Sequence, residues 1–140
     1  MGPNGTKIIL SYLKFSGDQL GPQYEFTFSL AGQIATIKVD MTDRREAALN
    51  REIFFIPESN LSQVLPITIE AKEIDEVFSD VGSLSAELRI AYPEPLEQFA
   101  DFNVLVQGYG RERKMQSMVQ ISLIICLDGG DSLCCGPRSQ

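Results

Sequence analysis

The chain has 140 residues, 44% of them hydrophobic, and a formal net charge of −7. That length and hydrophobic content suit one domain whose core needs no staple or metal, and the negative balance disfavours nonspecific attraction to nucleic acid or to an anionic bilayer. Histidine is absent, which removes Ser-His and Cys-His relays, the usual zinc ligand and the side chain best suited to switching near neutral pH.

In chain order, Ile8 to Phe15 reads as a first strand, broken by the turn formers Ser16, Gly17, Asp18, Gly21 and Pro22. Tyr24, Phe26, Phe28 and Leu30 then alternate with Glu25, Thr27 and Ser29, so one face is apolar and the other polar. Ala31-Gly32 forms a tight hairpin, and Gln33 to Val39 returns with Ala35, Ile37 and Val39 on the inner face. The run from Asp40 to Arg51 is rich in helix formers and predicts one or two helical turns, followed by a brief strand over Glu52 to Ile56 that Pro57 stops.

A clean strand runs from Leu65, with Ile67, Ile69 and Ala71 on one face, into an acidic loop holding Glu73, Asp75, Glu76 and Asp80. Gly82 leads back into a strand with Leu84, Ala86 and Leu88 on one face. The prolines of Tyr92-Pro93-Glu94-Pro95 interrupt the sheet, and Leu96 to Ala100 reads as a helical turn. Phe102, Val104 and Val106 mark the penultimate strand, residues 108–114 a polar hairpin loop, and Val119, Ile121, Leu123 and Ile125 the last strand.

The pattern predicts an all-β fold: an eight-stranded antiparallel β-sandwich with short helical connections. Its organisation is a flexible lead over 1–6, the domain over 7–127, and a disordered tail over 128–140 that is rich in glycine and carries Cys134 and Cys135. The expected inter-sheet core is Tyr24, Phe26, Phe28, Ile37, Val39, Ile67, Ile69, Leu88, Val104, Val106, Ile121 and Leu123. No stretch reaches the roughly 18 apolar residues of a membrane span, and the N-terminus shows no cationic segment leading into an apolar run. Cys126, Cys134 and Cys135, an odd and clustered set, are a poor framework for stapling a fold, which favours an intracellular setting, cytoplasmic or peripheral to a membrane, and Cys134 and Cys135 read as free thiols in a loose tail.

Two groups of side chains carry chemistry. Glu73, Asp75, Glu76 and Asp80 crowd carboxylates into one loop, where mutual repulsion calls for water, a cation or a basic partner. Arg111, Arg113 and Lys114, beside Tyr109, form a basic cluster on an acidic chain, an amphipathic anchor for lipid headgroups or for an acidic segment of a protein partner. Gly108-Tyr109-Gly110-Arg111 lacks the strand-to-helix context and the Gly-Lys-Ser/Thr ending of a phosphate loop and reads as a hairpin.

The strand count and the acidic loop, through Glu73-Ile74-Asp75 and Asp80-Val81-Gly82, resemble a C2 domain over about Lys7 to Leu127. The stretch from Asp18 to Tyr24 is similar to that family's first acidic loop. The resemblance implies an eight-stranded sandwich whose loops bind lipid or protein, with calcium as its cofactor in the members that use one. The calcium-binding members carry an aspartate immediately before a Pro-Tyr pair, whereas this chain has Pro22-Gln23-Tyr24 with Asp18 as the nearby acid, and Glu73 stands where an aspartate is expected. The resemblance therefore implies an incomplete calcium site at Asp18, Glu73, Asp75 and Asp80. The reading is a non-catalytic, calcium-independent binding module that docks to a protein partner or a membrane surface through its loops, not to nucleic acid. Its rivals are an oligomeric structural or assembly protein, such as a coat, capsid or scaffold subunit, and a calcium-dependent phospholipid-binding domain.

Overall fold

A computed structural model describes residues 5–18, 21–57, 61–74, 80–109 and 114–127. Eight strands follow one another: β1 (Gly5–Gly17), β2 (Gln23–Leu30), β3 (Gln33–Asp40), β4 (Glu46–Pro57), β5 (Gln63–Glu73), β6 (Asp80–Ile90), β7 (Glu97–Tyr109) and β8 (Lys114–Leu127). Every pairing is antiparallel, in the order β3-β2-β5-β6-β7-β8-β1-β4. The eight strands make one nearly closed, barrel-like sheet in which β3 and β4 are the two edges. Across the seam between those edges the Gln33 side-chain amide donates to the Phe55 carbonyl at 2.8 Å.

The alternation read in the sequence sets which side chains fill the barrel. All twelve expected core residues are buried, joined by Ile8, Leu10, Leu13, Phe15, Phe54 and others. Phe15, Tyr24 and Phe26 form an aromatic cluster, with the Phe15 and Tyr24 ring centroids 4.7 Å apart and tilted at 58°. Burying each such ring contributes roughly 1.5–3 kcal/mol through area removed from water. In β1 the register slips between Leu10 and Tyr12 against both neighbours, a bulge at Ser11 that lets Leu10 and Leu13 both face inward.

The turns obey local chemistry. Ala31 and Gly32 have φ of 50° and 79°, the left-handed pair of a type I′ turn, whose twist matches that of the strands it joins. Pro66 is tolerated inside β5 because β2 ends at the Leu30–Ile67 pair, so the missing amide faces no neighbouring strand. Gly82 meets β7 at the thinnest point of the sheet, where β6 and β7 share the single pair Val81–Gln107. A Cβ at Gly82 would lie 2.0 Å from the Leu105 carbonyl oxygen, so only glycine allows that approach.

Three expectations are corrected. The described residues contain no helix. Glu46 to Arg51, expected as helical, belongs to β4, because pairing with β1 outweighs the helix preference of Glu46, Ala47, Ala48 and Leu49. The helical turn expected over Leu96 to Ala100 is replaced by the start of β7, which pairs with β8 from Glu97 onward. Cys126 is fully buried and disulfide-bonded, where the clustered cysteines were expected not to staple the fold. Cys134 and Cys135 lie outside the described residues, as does the tail expected to be disordered.

Candidate functional site at the loop end

Antiparallel order sends alternate connections to the same end of the barrel. The links β1–β2, β3–β4, β5–β6 and β7–β8 meet there, since Gly17 pairs with Ser117, Gln23 with Asp40, Glu73 with Asp80 and Tyr109 with Lys114. Among the described residues, this end therefore receives Asp18, Glu73 and Asp80, together with the Tyr109–Lys114 pair.

Asp18 follows directly after β1. Its amide donates to the Gln116 carbonyl and its carboxylate Oδ2 accepts from the Gln116 amide, both at 2.8 Å, so the side chain extends the β1–β8 ladder by one step. That engagement makes Asp18 first a structural group. It lines a cleft of about 10 Å³ with Phe15, Tyr24, Arg44, Arg45 and Ser117, space for a single water and no more.

Glu73 ends β5 on the inner face, opposite Tyr24 on one side and Asp80 on the other. It is only 3% exposed, and its carboxylate packs on Gly21, where a Cβ would lie 2.2 Å from Oε2. Asp80, partly buried at the start of β6, packs its carboxylate on Gly108 of β7 in the same way, at 2.4 Å from the position of a Cβ. The two acids are thus a register pair on neighbouring strands at the mouth of the barrel, with one carboxylate packed on Gly21 and the other on Gly108. Glycine on each flank makes the room they occupy.

Asp75, Arg111 and Arg113 lie outside the described residues. Tyr109 and Lys114 close the β7–β8 ladder as a register pair. Among the described residues no group of three or more acidic or cysteine side chains is placed to hold a metal ion.

The β3–β4 link adds groups the sequence reading missed. The Asp40 carboxylate accepts from the Thr42 hydroxyl at 2.5 Å and from the Thr42 amide at 2.8 Å. The Arg44 guanidinium donates to the Asp40 carbonyl at 3.0 and 2.7 Å, and the Arg44 amide donates to the Met41 carbonyl at 3.2 Å. Asp43 supplies the left-handed residue, with φ of 56°. These local bonds close a compact loop where a helix was expected, since Asp and Thr side chains compete with the helix for backbone partners. The Thr42 hydroxyl, then the Thr42 amide, hold the Asp40 carboxyl below the ordinary carboxylate range; desolvation opposes them, and Gln23 and Arg44 add to them. The loop is tied to its neighbours, since the Met41 amide donates to the Pro22 carbonyl at 2.6 Å and the Phe15 amide to the Arg45 carbonyl at 2.7 Å. Tyr12 also donates its hydroxyl to Glu46. Asp40, exposed helix formers and alternating charges gave no sequence signal for this; the Asp-x-Thr spacing was the one available cue.

The loop end thus offers a charged rim over a nearly filled interior. A second depression, broad and shallow at about 410 Å³, lies at the opposite end between Ser62, Val64, Arg89 and Ala91, away from Asp18, Glu73 and Asp80. No helix among the described residues is long and apolar enough to cross a membrane. No protein-family model matches this chain, and no curated protein is recognisably similar to it.

Proposed function

We propose that this chain is a non-catalytic, C2-like binding module that docks to a protein partner or a membrane surface through the loop end, without requiring calcium. The observation that carries this reading is the meeting of four connections at one end, bringing Asp18, Glu73 and Asp80 to the rim that the Tyr109–Lys114 hairpin also reaches. Recognition there is by surface charge, because the cleft beneath holds no more than about one water. The single Val81–Gln107 pair supports treating the sheet as two four-stranded halves, β3-β2-β5-β6 and β7-β8-β1-β4, in the manner of a C2-like sandwich. Calcium independence rests on the acids themselves: calcium takes six to eight oxygens, Asp18 already holds the Gln116 amide, and Glu73 is packed on Gly21.

Sedimentation of the full chain with phosphatidylserine-containing vesicles, in calcium and in a chelator, tests the reading together with a triple Arg111→Ala, Arg113→Ala, Lys114→Ala variant. The expected result is vesicle binding that the chelator leaves intact and the triple variant loses. Binding that appears only with calcium would replace this reading with the calcium-dependent one. Absence of vesicle binding in both conditions would remove the membrane as the docking surface and leave a protein partner, to be sought by cross-linking through the Lys114 amine.

A further inference from the structure

A barrel that stops short of closure has two edges, and here they differ in how they are guarded. β4 carries the marks of a protected edge: register slips against β1, Asn50 in the left-handed region with φ of 49°, the adjacent charges Arg51 and Glu52, and Pro57 at its end. β3 carries the charges Lys38 and Asp40 and is tied to β4 at its start by the Gln33 amide, but it shows none of the other marks. Its register with β2 runs unbroken from the Gln23–Asp40 pair to the Leu30–Gln33 pair, it contains no proline, and it is rich in β-branched residues.

The hairpin fixes which backbone groups face outward. In a two-residue turn the closing pair, Leu30 and Gln33, is hydrogen-bonded, so bonded and non-bonded pairs alternate from there. The amides and carbonyls of Ile34, Thr36 and Lys38 consequently point away from β2 to the free edge. Asp40 is next in that series, and its carbonyl accepts from Arg44, as such a direction requires. Among the described residues no hydrogen bond reaches the outward groups of Ile34, Thr36 or Lys38. On the outer face beside them Ile34 is 73% exposed, the most exposed of the large apolar side chains among the described residues.

We infer that β3 is a strand-addition surface whose occupant is β3 of a second copy of this chain, antiparallel across a two-fold axis at Thr36. The register is self-complementary. Centring on Thr36 places Thr36 opposite Thr36 and Ile34 opposite Lys38 in both directions, so all three outward residues pair and about six backbone hydrogen bonds form. No like charges oppose each other, and the methylene stem of Lys38 covers the exposed Ile34. A two-fold closed contact of this kind ends at the dimer. The inference stands apart from the loop-end reading, since it uses the opposite flank of β2 and none of the rim residues.

Sedimentation velocity on the full chain, from micromolar to near-millimolar concentration, reads the mass directly. The expected result is a rise from 15.5 kDa towards twice that value. Thr36→Pro removes an outward amide while leaving the β2 pairing intact, and should hold the chain as a monomer with an unchanged circular dichroism spectrum. Ile34→Lys, set opposite Lys38, should raise the dimer dissociation constant roughly tenfold, whereas Ile34→Glu should not raise it. A wild type that stays monomeric throughout, or a dimer undiminished by Thr36→Pro, overturns the inference. If Thr36→Pro fails to fold, the two Ile34 variants decide: equal weakening by both overturns the register. Vesicle binding in the monomeric variant keeps the loop-end reading separate from this one.

Discussion

The two halves of the sheet meet solvent differently. Outside β3-β2-β5-β6, cross-strand rows are mostly polar: Thr36, Thr27, Glu70 and Ser83 in one, and Lys38, Glu25 and Lys72, alternating in sign and ending at the exposed Val81, in the next. Outside β7-β8-β1, a row runs through Phe99, Ile124 and Ile9, and Ile9, Cys126 and Ile124 form a small apolar cluster separate from the main core. The first half needs only its inner face covered. The second has apolar groups on both sides, and two of the outward ones, Ile9 and Cys126, are as buried as the main core.

That difference can be broken at single positions. The largest effect is expected for Phe26→Ala, which empties a fully buried site beside Phe15 and Tyr24. The loss should be about 3–5 kcal/mol in chemical denaturation. Phe99→Ser, at an equally large ring that is 69% exposed on the outer face of the other half, should stay within about 0.5 kcal/mol. If Phe99→Ser matched Phe26→Ala, the outer face of β7 would be core and the contrast would be lost.

The joint between the halves comes next. Gly82→Ala forces a methyl into the Leu105 carbonyl and should destabilise by about 1–3 kcal/mol, with a lowered melting temperature as the readout. An unchanged melting temperature would mean that β6 and β7 separate at no expense and that the halves are independent.

At the loop end, Asp18→Ala leaves the Gln116 amide without its carboxylate and should lose about 1 kcal/mol, whereas Asp18→Asn, which keeps an acceptor oxygen, should lose less. Equal losses would show that the negative charge, not the acceptor, is what the end of β1 requires.

The smallest effect concerns pH. Because the folded state lowers the Asp40 pKa, chiefly through Thr42, its contribution is complete above the unfolded carboxylate range and is lost as pH falls through the folded value. The wild type should therefore lose slightly more stability below about pH 4 than Thr42→Val does. A steeper acid limb in the variant would reverse the sign assigned to that hydrogen bond.

The same contrast explains what the sequence made legible. β2, β5 and β6 read cleanly because their outer faces are polar, so Tyr24, Phe26 and Phe28 stand out against Glu25 and Thr27. In β1 the bulge shifts the phase between Leu10 and Leu13, which a fixed period of two cannot follow. β4 was hidden by Glu46-Ala47-Ala48-Leu49, whose local preference is helical and whose strand geometry comes from β1, more than thirty residues earlier in the chain at the Lys14–Glu46 pair. The acidic loop was visible as composition. The role of Asp18 was not, since its partner Gln116 is 98 positions away and no local pattern encodes that meeting. The cysteine spacing pointed to a fold without a staple, and the bonded state of Cys126 is at odds with that.

β1 and β8 lie side by side, with Thr6 opposite Leu127. A linker of a few residues joining those ends would therefore span one inter-strand spacing, and new ends opened at the exposed Ala31-Gly32 turn would give a circular permutant with every ladder retained but the β2–β3 turn. Mechanically, the same neighbourhood makes the fold soft in one direction. A load applied between Gly5 and Leu127 peels β1 from β8 one hydrogen-bonded pair at a time, like a zip, whereas a load between the loop end and Leu127 must shear the whole ladder at once.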